Sequence, residues 1–139
     1  MSTMYLKGLE QLLLGNIALE SATLKLKYMA TTYTPAPTTE SFLSDVSAQE
    51  ASGAPTETLA SVDVRIDAAN NRVEVDAADV TENGITCSTN KFIIYKDTGV
   101  AATSPLICCI DIAEGTLSPV GGTIAITFNA EGIFAVTPT

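Results

Sequence analysis

The residues of this chain best suited to chemistry lie in "KFIIYKDTGVAATSPLICCIDI", residues 91 to 112. Asp97-Thr98-Gly99 spells the tripeptide that carries the catalytic carboxylate of aspartic proteases. That chemistry needs two Asp carboxylates sharing a proton, from two copies in one chain or from a symmetric dimer. The chain has one copy, and Tyr95-Lys96 puts a long cation beside the Asp where an apolar bed is required. The spelling reads instead as a turn, in which Asp97 caps the backbone and Gly99 supplies a positive φ.

Cys108 and Cys109 are adjacent, and with Cys87 they make an odd count without CxxC spacing, so they form no disulfide framework. On a strand they point to opposite faces and act as small buried hydrophobes. The chain has no histidine, which removes Ser-His-Asp, Cys-His and His-containing zinc sites. The acidic run "DAADVTEN", Asp76 to Asn83, lacks the ligand alternation and the Gly-then-Glu ending of a calcium loop. It reads as a solvated rim. No cofactor, no metal and no enzymatic activity are expected.

Sixteen acidic against seven basic residues give 139 residues a formal charge of −9. Nucleic acid and anionic membrane surfaces need a basic face, so neither is an expected partner. No apolar run approaches the roughly 18 to 20 residues that cross a bilayer, and no export signal opens the sequence. Synthesis and retention in a cytoplasm are the expectation.

The elements that position these residues follow from periodicity. Leu6, Leu9, Leu12 and Leu13 recur at helical spacing, predicting a helix over residues 3–15 with Ser2 or Thr3 as its cap. Such a helix ordinarily covers one sheet of its domain. "ATLKLKYM" alternates, with Ala22, Leu24, Leu26 and Tyr28 on one face and Thr23, Lys25 and Lys27 on the other. Residues 30–61 turn to Thr, Ser, Ala, Pro and Glu, with few apolar anchors, and read as an extended arm. Strands fill residues 62–137. "SVDVRID" pairs with "NRVEVD", "KFIIYK" with "PLICCIDI", and "GGTIAITFN" with "GIFAVT" about Ala130-Glu131. Leu106, Cys108, Ile110 and Ile112 are expected on one face. The whole is expected to be a single mainly β domain, an antiparallel jelly-roll-like sandwich with one N-terminal helix and a long Thr/Ser/Pro-rich loop.

In this order "YLKGLEQLLLG", "ATLKLKYMATTYTP", "FLSDV", "DAADVT", "IIYKDTGVAATSPLICCID" and "GGTIAITFNAEGIFAV" resemble a family of small tailed-bacteriophage virion proteins. The resemblance spans residues 4 to 136 and departs from the family pattern at Cys108-Cys109 and "TENGITCSTN". It implies a capsid decoration (cement) protein on the outer surface of the virion, made in the bacterial cytoplasm. It would bridge major capsid protein subunits, often as a homotrimer. A tail- or fibre-associated adhesin binding a host glycan is the alternative, and would use aromatic platforms. On the first reading, the arm with Tyr33, Pro35, Pro37, Phe42, Leu43 and Val46 is the expected partner-facing segment.

Overall fold

The computed structural model describes residues 2–138, and in it the alternating runs become strands. In chain order they are β1 (Ser2–Met4), α1 (Leu6–Leu13), β2 (Leu24–Met29), α2 (Leu43–Val46), β3 (Thr56–Thr58) and β4 (Asp63–Asp67). There follow β5 (Arg72–Asp76), β6 (Val80–Ile85), β7 (Lys91–Lys96), β8 (Leu106–Asp111), β9 (Gly122–Ile126) and β10 (Phe134–Val136). The protein is mainly β, with antiparallel sheets and a short N-terminal helix. One sheet has five strands in the order β1-β8-β7-β2-β3; β10-β5-β4 form a second, and β6-β9 a ribbon.

The five-stranded sheet is buried on both faces. From one face Leu24, Leu26, Tyr28, Phe92 and Ile94 pack on Ile124 and Ile126 of the ribbon, the interior of the sandwich. On the other, Met29, Ile93, Tyr95, Leu106 and Cys109 meet Tyr5, Tyr33, Leu43 and Val46 in a second core. That is why β7 and β8 are almost continuously apolar while β2 alternates. Lys25 and Lys27 leave the second face of β2 to pair with Asp97 at 2.6 Å and Glu50 at 2.8 Å.

Four expectations change. The register of β7 with β8 slips between Ile94, opposite Cys108, and Tyr95, opposite Leu106. This bulge inserts Ile107, so Leu106 joins the second core while Ile107 and Cys108 both enter the first. Cys108 and Cys109 do face opposite ways. Residues 122–126 and 134–136 do not pair with each other: β9 pairs with β6 and β10 with β5. Alternation marks a strand but carries nothing about its neighbour.

The N-terminal helix is shorter than residues 3–15, because residues 2–4 pair with β8. Ser2 and Thr3 are therefore strand residues, and Tyr5 at the N-cap makes no side-chain cap bond. Last, residues 30–61 lie along the sheet, held by local turns and by several backbone bonds to its margins. Leu43 N donates to Ser104 O (2.9 Å), Leu106 N to Ser41 O (3.0 Å), and Ala51 N to Tyr28 O (3.0 Å). Their last stretch becomes β3, antiparallel to β2.

The three-stranded sheet is built differently. One face carries ion pairs: Arg65 donates to Glu74 (2.9 Å) and Asp76 (3.2 Å), and Arg72 to Asp67 (3.0 Å) and Glu74 (2.8 Å). Glu74 is buried beneath both guanidinium groups. The other face runs from buried Val75 out to exposed Ile66, Val73 and Val136.

Candidate partner surface

The Asp97 region has the geometry of a capped turn. Gly99 has φ +84°, and its N–H donates to Asp97 Oδ1 at 3.0 Å while Lys25 Nζ reaches Oδ2 at 2.6 Å. The Lys25 ammonium and then the Gly99 N–H hold the Asp97 carboxyl below the usual carboxylate range. Thr98 Oγ1 accepts from Val100 N at 3.4 Å and lies 2.6 Å from Thr103 Oγ1, tightening the loop. A carboxylate held by a lysine and a backbone donor is positioned to shape the chain.

Within the arm, Tyr33, Leu43 and Val46 are buried in the second core, covered by the chain itself. They are not free to meet a partner. Tyr33 also ends a polar thread: its hydroxyl lies 2.5 Å from Tyr5 Oη and donates to Glu40 Oε2 at 2.7 Å. Glu40 accepts the Ala36 N–H at 2.8 Å. Burial pushes the Tyr5 and Tyr33 phenols upward, so both remain neutral and serve as hydrogen-bonding struts. Pro35, Pro37 and Phe42 are half-buried. Pro37 has a structural task, its carbonyl accepting the first helical N–H, that of Leu6, at 3.2 Å.

Helix α1 presents the opposite surprise. Its sheet side is formed by Tyr5, Gly8 and Leu12, and Gly8 is in place because a Cβ there would fall 2.3 Å from Leu106 O. Leu6, Leu9 and Leu13 sit about a quarter turn away around the helix, and with Leu14 they face solvent at 55, 37, 81 and 64% exposure. The expectation that the leucines cover the sheet therefore holds only for Leu12. The apolar arc is wider than the surface beneath it. Gly8 was the available signal, since a glycine within a Leu-rich helix marks the side of closest approach.

A cleft of about 480 Å³ opens where β8, β9 and β10 meet, lined by Phe92, Ile110, Asp111, Phe128, Glu131 and Phe134. Its carboxylates disfavour an anionic occupant. All four tyrosines, Tyr5, Tyr28, Tyr33 and Tyr95, are buried, which leaves none as a stacking platform for a glycan. Compared with models of protein families, with curated proteins and with solved structures, the chain finds no match in any of the three.

Proposed function

We propose that this protein is a non-enzymatic structural component of a tailed-bacteriophage particle, decorating the outer capsid and bridging major capsid protein subunits. The reading starts from the likeness of its segments to small virion proteins. The observation that carries it is the exposed row Leu6, Leu9 and Leu13 on a helix fixed to the sheet through Gly8. Three large aliphatic side chains on one small surface are a docking patch rather than scattered exposure. The patch replaces the arm as the partner-facing element, and a homotrimer would present three of them to the shell. Weak single contacts repeated over a symmetric shell give avidity. Gold labelling of particles tests the assignment: label over the whole shell is expected, and label confined to the tail overturns it.

A further inference from the structure

A second feature lies on the far side of the molecule, where the outer strand of the five-stranded sheet meets the ribbon. Glu57 of β3 stands opposite Leu26, and Leu26 points into the first core. Residues directly opposite in an antiparallel pair share a face, so Glu57 points inward. Glu82 of β6 stands opposite Ile124, which is 1% exposed in the same core. Each sheet thus turns one carboxylate toward the other at the mouth of the core.

The two segments run alongside each other. A Cβ on Gly53 would lie 2.3 Å from Thr86 O, so the backbones touch there. Four residues on along one segment and four back along the other, Glu57 and Glu82 are in hydrogen-bonding contact. Both are half-buried. Behind them is Tyr28, two residues beyond Leu26 on the same face of β2. Its ring is fully buried and its hydroxyl has no hydrogen-bond partner.

We propose that this seam is a proton-operated latch: one proton shared between Glu57 and Glu82 holds β3 against β6, and its loss drives the two strands apart. With the proton on Glu82, its O–H donates to the Glu57 carboxylate. Without it, two like charges face each other between the two sheets, an arrangement that destabilises. The titratable groups facing the pair are Tyr28 on β2 and Cys87 just beyond β6, both neutral because burial raises their proton affinity. The lysines of β2 give no relief, since Lys25 and Lys27 leave the opposite face and are paired with Asp97 and Glu50.

Burial first, then the hydrogen bond and charge of Glu57, push the Glu82 carboxyl up to about 7 from an ordinary 4.5. A carboxyl whose folded value exceeds its unfolded value contributes stability that is complete below the unfolded value. That contribution is lost as pH rises through the folded one. The latch is therefore closed in mild acid and opens across neutrality.

An NMR titration of the glutamate carboxyls in the full chain tests this. Glu82 is expected to titrate near 7, and to return toward the ordinary range in Glu57→Gln. Amide protection over residues 54–58 and 82–86 is expected to fall about tenfold or more between mild acid and mild alkali. Glu82→Gln, which keeps a donor to Glu57 but cannot ionise, should hold protection constant. Glu82 titrating at its ordinary value in the native chain overturns the latch. So does an unchanged loss of protection in Glu82→Gln. The titration of the native chain decides the matter even if a variant fails to fold.

Discussion

Gly8 of α1 rests on the Leu106 carbonyl of β8 so closely that a Cβ would stand 2.3 Å from the oxygen and 2.7 Å from the next Cα. The contact sets how near the helix lies to the sheet. It fixes the direction in which the leucines point.

Gly8→Ala is therefore expected to lower stability by about 1–3 kcal/mol, the usual range for forcing extra volume into a packed site. Leu13→Ser, at a position 81% exposed, should change stability by less than about 0.5 kcal/mol. Urea unfolding measures both. The same Leu13→Ser protein should bind particles more weakly in a co-sedimentation assay, and equal binding would move the docking surface away from α1.

The arm is expected to behave as part of the body. Leu43→Ala, at a buried position in the second core, should cost about 2–5 kcal/mol. In the free protein, residues 43–46 should exchange their amides slowly and resist limited proteolysis, and residues 56–58 should do so in mild acid, where the seam with β6 is closed. Rapid exchange there would restore the freely extended arm that its composition predicts.

Asp97→Asn should leave the turn formed, because an Asn oxygen still accepts from the Gly99 N–H. It loses the Lys25 ion pair, a loss of about 0.2–1 kcal/mol for a partly exposed pair. The folded carboxyl lies below its unfolded value, so the native contribution is present at neutral pH and declines as pH falls through the folded value. Comparing acid unfolding of the two proteins should show the difference at pH 7 shrinking in acid. A peptidase activity abolished by this substitution would instead make Asp97 a catalyst.

Thiol reactivity gives a further check on the central strand. Burial pushes the Cys109 thiol up to about 12 and that of Cys108 higher still. Neither is a thiolate at mildly alkaline pH, and the thiolate is the reactive form. Alkylation of native protein at Cys108 and Cys109 is expected to be negligible over hours and complete after denaturation. Fast labelling without denaturant would mean that β8 opens.

Much of the fold was legible because it is periodic. Leu24, Leu26 and Tyr28 alternate with Lys25 and Lys27, and the hairpins 63–76 and 91–111 are short-range pairings announced by their turns. The resemblance to virion proteins also led to the proposed role, which periodicity alone does not carry. What stayed hidden depends on three-dimensional meetings. Tyr33, Leu43 and Val46 follow no period, yet they converge on one patch of the sheet. The partners of β9 and β10 lie some 40 to 60 residues away in the chain, a separation that alternation does not encode. The leucines of α1 match a buried helix in spacing, and only the close seat of Gly8 turns most of them outward. Glu57 and Glu82 look like ordinary surface acids until the two sheets are stacked.

The pairing of β1 with β8 has a consequence for biosynthesis. Residues 2–13 leave the ribosome about 100 residues before the strand that receives them is complete, roughly 5–20 s at ordinary elongation rates. Through that interval Tyr5 and Leu12 have no core to enter, and they stand beside leucines that never acquire one within the chain. A nascent segment of this kind is a natural client for a chaperone at the tunnel exit. The leucine row that stays exposed after folding is thus already sticky while the rest of the protein is still being made.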